Sequence, residues 1–133
     1  MDCRRSLEEC GGDFEKACVW IEKHCREKAE KKSGRKVGEG LVEAYIHSTG
    51  KVGAMVELAC ETDFVARNAE FKNLTHELAM QVASMKPKNV KELLKQEYIR
   101  DPQKTVKDVV KEAIGKLGEN IVVKKFERFE IGE

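Results

Sequence analysis

The sequence predicts an α+β protein: a small antiparallel three-stranded sheet with helices on one face, preceded by a short helical module. Three observations predict it. The apolar period changes to two at Leu41 and returns to that of a helix near Asn68. Two alternating runs flank Ser48-Thr49-Gly50-Lys51, which has the chemistry of a hairpin turn, with Gly50 free to take positive φ. A last strand-like run, Asn120 to Ile131, follows a helix that ends on Gly118. Helices, two strands, helices and one strand pack most simply as a sheet with one covered face.

Taken in order, residues 1 to about 10 read as a short helix with Cys3, Leu7 and Cys10 on one side, closed by Gly11-Gly12. Asp13 is the expected N-cap of a second helix running to Cys25. Its apolar face is Phe14, Ala17, Cys18, Ile21 and Cys25, with Trp20 off the stripe. Two such helices bury little by themselves. Residues 22–36 are strongly basic and read as a solvated helix and linker, with an acidic partner or RNA as the alternative. No aromatic follows Trp20 there to stack on bases.

In the first strand Val42, Ala44 and Ile46 face one way, and Glu43, Tyr45 and His47 the other. The second strand places Val52, Ala54, Val56, Leu58 and Cys60 on the core side. Ala69 to Met85 is a helix with the stripe Phe71, Leu74, Leu78, Val82 and Met85, stopped by Pro87. Val90 to Tyr98 reads as one short helix, and Asp101-Pro102 as a break. Thr105 is the N-cap of the next helix, with Asp108 as a capping-box partner. In the last strand the alternation slips at Lys124-Lys125, which predicts a bulge. Three strands leave one poorly covered face, on which Phe126, Phe129 and Tyr45 are candidates for an exposed apolar patch.

Composition narrows the function classes. The chain has 133 residues, 41% hydrophobic and 37% charged, with a net charge of +1, so no global field favours specific nucleic acid or membrane binding. No apolar run approaches the roughly 18 residues of a transmembrane span, and no signal peptide follows Met1, so the expected compartment is the cytoplasm. Cys3, Cys10, Cys18 and Cys25 recur at nearly seven residues, about two helical turns. They read as small buried apolar residues; a zinc site with His24 is the sharper alternative, but the paired CxxC spacing is missing. There is no GxGxxG, GxxxxGK[ST], HExxH or GxSxG, and His24, His47 and His76 fall in unrelated contexts. Neither catalysis nor a cofactor is expected. The residues alone describe an interaction domain with a helical appendage.

The connector Glu61 to Asn68, ETDFVARN, holds the most telling residue. Connectors are usually polar, and Phe64 is a large aromatic with Glu61 and Asp63 before it and Arg67 after it. It either folds back to cap the core or points outward to be buried by a partner.

At this stretch the chain resembles the elongation factor Ts family. MDCRRSLEECGGDFEKA (1–17) is similar to the later part of that family's ubiquitin-associated-like module, GLVEAYIHSTGKVGAMVELACETDFVARN (40–68) to the start of its core, and IGKLGENIVVKKFERFEIGE (114–133) to the closing strand. TDFVARN, a seven-residue match in register with the other two, is the specific part. The resemblance implies three segments: a partial ubiquitin-associated-like module at 1–27, a basic linker at 28–39, and a dimerisation-type core at 40–133. It implies a guanine-nucleotide exchange factor without covalent chemistry, binding elongation factor Tu in its GDP-bound and nucleotide-free forms. The turn Thr62, Asp63, Phe64 and Val65 would enter beside the magnesium site, with Phe64 as the wedge. Met1, Asp2, Arg67 and Asn68 would be secondary contacts. Phe64 should then be exposed in the free protein, with Val65 anchoring the turn.

Two departures from the family pattern stand out. The chain starts at the second of two adjacent methionines usual in the family, without the preceding helix and its Thr-Gly loop. The stretch between Met85-Lys86-Pro87 and Leu93 to Asp101 is cut to a few residues. A single core half implies a homodimer, as in the short forms of the family, with the final strand, Phe126 and Phe129 included, as its interface. A translation-associated scaffold that has lost exchange activity is the alternative function.

Overall fold

The computed structural model describes residues 34–132. The N-terminal helical module, its four cysteines with His24, Met1, Asp2 and nearly all of the basic segment lie outside the described residues. Strands β1 (Glu39–Ile46) and β2 (Val52–Cys60) form the expected hairpin. In its turn the Gly50 N–H donates to the His47 carbonyl (2.7 Å), and Gly50 takes φ 71°, a conformation that costs glycine least. After a single helical turn, α1 (Asp63–Ala66), come α2 (Ala69–Met85), α3 (Val90–Lys95), a small ribbon of β3 (Glu97–Tyr98) and β4 (Asp101–Thr105), helix α4 (Val106–Leu117) and strand β5 (Ile121–Glu130). The main sheet has the order β1-β2-β5, antiparallel throughout.

All the described helices pack on one face of this sheet. Phe71, Leu78 and Val82 of α2 close over Val56 and Leu58, while Val106, Val110 and Ile114 of α4 and Leu93 of α3 complete the same core. Register decides which residues share that face. Directly paired residues point the same way, so Leu41, Leu58 and Val123 form one inward row, and Glu43, Val56 and Phe126 the next. The expected bulge is present: Glu57 pairs with Lys125 but Leu58 with Val123, leaving Lys124 as the extra residue. The capping box of α4 is complete, since the Asp108 N–H donates to Thr105 Oγ1 and the Thr105 N–H to Asp108 Oδ2, both at 3.2 Å. Gly118 closes that helix at φ 78°.

Three expectations are corrected. Val90 to Tyr98 is not one helix, because α3 stops at Lys95 and the chain turns into the β3–β4 ribbon. The ribbon is held by the buried Gln81 of α2: its Nε2 donates to the Glu97 carbonyl (3.0 Å), and its Oε1 accepts from the Ile99 N–H (3.0 Å). In β1 the apolar face, Val42, Ala44 and Ile46, is the outer one. The inner face is Leu41, Glu43 and Tyr45, because β1 is an edge strand where α2 supplies polar partners. His76 of α2 lies 4.0 Å from the Glu43 carboxylate and meets the Tyr45 ring edge to face. Finally, Phe126 and Phe129 sit on opposite faces. Phe126 pairs with Val56 and packs on the core, as Tyr45 does, whereas Phe129 pairs with Gly53 and is 70% exposed. The exposed patch is therefore Val42, Ile46, Met55, Phe129 and Ile131.

Candidate functional site

Helix α1 is built to show one side chain. Thr62 caps it: its backbone is extended, and Oγ1 accepts from the Val65 N–H (3.4 Å). The Ala66 and Arg67 N–H groups donate to the Thr62 and Asp63 carbonyls at 3.2 and 3.1 Å, and the Asn68 N–H closes the turn on the Val65 carbonyl (2.9 Å). Asn68 then caps α2, its Oδ1 accepting from the Glu70 N–H at 2.8 Å. Two capped helices thus meet within a few residues, and the direction of every side chain between the caps is fixed.

Within that turn the residues divide by burial. Val65 and Ala66 are buried in the core cluster, while Phe64 projects outward at 85% exposure. Of the two readings of Phe64, capping the core is thereby excluded for the free chain. Asp63 is exposed beside it, its carboxylate paired with Arg67 at 2.8 Å one turn later. An aromatic ring held in water by a buried anchor cannot collapse onto its own core.

The turn is also braced from outside. The carboxylate of Glu119, in the loop between α4 and β5, accepts from the Thr62 N–H (2.9 Å) and from the Thr62 hydroxyl (2.6 Å). Next to it the Asn120 N–H donates to Glu61 Oε2 (2.7 Å), and Asn120 Nδ2 donates to the Arg35 carbonyl (2.8 Å). Beneath, the Cys60 thiol donates to the Thr62 carbonyl (3.1 Å). Burial first, and the Glu119 carboxylate second, push that thiol above its ordinary value. Such a thiol is a packing group, not a nucleophile.

Thr62, Asp63, Phe64 and Val65 are thus brought together as one unit, with Arg67 and Asn68 adjoining it. Glu119 and Asn120 were not singled out from the sequence, and Glu61 only as an acid flanking Phe64. Glu119 is 57 residues from Thr62 along the chain, and no local pattern could join them. Among the described residues no group of three or more His, Cys, Asp or Glu side chains could hold a metal ion, and no helix there is long and apolar enough to cross a membrane. What the arrangement offers is mechanical: a rigid apolar plug flanked by one carboxylate.

The sequence profile described as "Elongation factor TS" matches residues 61–133, which begin at this turn. Proteins named Elongation factor Ts are similar along the whole chain. The one from Coprothermobacter proteolyticus is 40% identical over 178 aligned residues, covering all of this chain and 90% of the relative. Those from Thermoanaerobacter sp. (42%, 87% of the relative) and Rippkaea orientalis (40%, 72%) match all of it as well. An alignment of 178 residues against a chain of 133 leaves at least 45 positions of the relative without a counterpart here.

Proposed function

The chain belongs to the elongation factor Ts family, and on that premise we propose that it is a guanine-nucleotide exchange factor for elongation factor Tu, acting in the cytosol during translation elongation. The observation that carries the reading is Phe64, 85% exposed on a turn whose backbone is fixed at both ends.

The mechanism follows from the free energy of binding. Phe64 enters the nucleotide-binding domain of its partner beside the magnesium site and is buried there, a gain of roughly 1.5–3 kcal/mol. Val65 and Ala66, locked in the core, prevent the ring from retreating. The backbone arrives already ordered, so little conformational entropy is lost on insertion. Asp63, paired with Arg67 in the free chain, would bring a carboxylate to the edge of a site that binds phosphates, where its charge would oppose the diphosphate. A cation in the partner's site would supply the positive charge that holds the diphosphate, and the Thr62–Val65 turn would act by weakening that hold, so that GDP leaves more readily. Because coupling between two sites is reciprocal, a factor that binds the nucleotide-free form better weakens GDP by the same factor.

The test is release of labelled GDP from elongation factor Tu with and without this protein. Phe64→Ala is expected to lose most of the acceleration, about 10- to 100-fold for 1.5–3 kcal/mol of lost burial. A wild-type chain that leaves the release rate unchanged would sink the exchange reading.

A further inference from the structure

Glu119 is an unusual brace. Both of its carboxylate oxygens are engaged by Thr62, one by the backbone N–H (2.9 Å) and one by the hydroxyl (2.6 Å). It is half-buried between α4 and β5, its carboxylate turned toward Thr62. Thr62 in turn is the N-cap of α1, so the grip fixes the residue from which the whole turn is hung. Hydrogen bonds to a charged acceptor are shorter and roughly twice as strong as neutral ones, and two of them on one residue fix orientation as well as position. The neighbouring Asn120–Glu61 bond (2.7 Å) sets the same loop against the end of β2.

We propose that Glu119 is a positioning residue for nucleotide exchange: through Thr62 it holds the Phe64 turn in its inserting conformation before the partner arrives. The role rests on the exchange reading above. It predicts that the α4–β5 loop, distant in sequence, sets how fast exchange runs once the complex has formed. Without the grip, α1 still forms part of the time, because Val65 remains anchored. Phe64 then samples other directions, and part of the binding free energy goes into ordering it.

Three variants separate positioning from simple stability. Glu119→Ala removes both acceptors. Glu119→Asp keeps the charge on a side chain one methylene too short to meet both donors. Glu119→Gln keeps the length and can meet the Thr62 N–H with its oxygen and Thr62 Oγ1 with its amide. GDP release is measured against factor concentration, with thermal midpoints and amide hydrogen exchange at Ala66 and Arg67. The Ala and Asp variants are expected to lower the saturating release rate about tenfold, the scale of a charge-assisted hydrogen bond, with the half-saturating concentration little changed and the midpoint lower by about 4–8 °C. Exchange at the Ala66 and Arg67 amides should accelerate in both, while Glu119→Gln, which keeps both contacts without the charge, should fall between them and wild type in every readout.

Wild-type release rates in both the Ala and Asp variants would overturn the proposal. So would a Gln variant that falls as far as Ala in step with its thermal midpoint, since that marks a structural role only. If Glu119→Ala fails to fold, the Asp variant decides. Failure of the exchange reading is visible separately: the wild type would not accelerate release, or Phe64→Ala would release GDP as fast as wild type, and the positioning role would fall with it.

Discussion

Cys60 lies two residues before the cap of the turn that presents Phe64, and its position sets its chemistry. Its thiol is raised above the ordinary 9.0 by burial and by Glu119, and the Tyr98 hydroxyl above 10.0 by burial and by Glu77. Both groups hold their protons more tightly in the folded chain than in the unfolded one. Their stabilising effect is therefore complete below about pH 9 and is lost as pH rises, because the unfolded state sheds protons that the folded state retains. The thermal midpoint should fall steeply above pH 9 in wild type and less steeply in a Cys60→Ala, Tyr98→Phe double variant, as read by calorimetry across pH 8 to 10.5. Phe64 shows what the sequence could reveal at this scale. Its place on a connector was legible, and the family resemblance favoured the outward direction. The reason for that direction was not legible, since the brace from Glu119 closes over a loop of 57 residues.

At the scale of elements, local signals were reliable and tertiary ones were not. Thr105 with Asp108, Gly118, the Gly50 turn and the slip at Lys124 are each decided within a few residues, and each is realised as expected. The β3–β4 ribbon was missed because its cause is elsewhere: Gln81, buried inside α2, feeds the backbone of Glu97 and Ile99. A glutamine amid the stripe of an amphipathic helix carries no mark of that duty. Gln81→Leu should leave a half-buried carbonyl and an N–H without their partner, at a cost of about 1 kcal/mol. A lower denaturant midpoint with faster amide exchange confined to 97–105 would bear this out; an unchanged midpoint would show that water takes over the two groups. The inverted face of β1 has the same origin. Alternation fixes which residues share a face but not which face meets the helices, and the polar Glu43 and Tyr45 point inward because His76 waits there.

At the scale of the whole molecule, the described residues form two surfaces of different character. One is the Phe64 turn; the other is the outer sheet face with Val42, Ile46, Met55 and Phe129. A homodimer on that face, proposed above from the single core half, rests on Phe129 and not on Phe126, which the core already uses. Sedimentation at micromolar concentration should find a dimer for wild type and a monomer for Phe129→Glu, with a Phe126→Leu control still dimeric; a wild-type monomer would remove the interface. The row Ile46–Gly53–Phe129 lies seven residues along the strands from the row Glu39–Cys60–Ile121, ~23 Å at the usual rise. The Phe64 turn springs from the latter end. A second copy covering the apolar rows would leave both plugs free, so the assembly would take up two partner molecules, each titrating as if alone, with a Hill coefficient of about one.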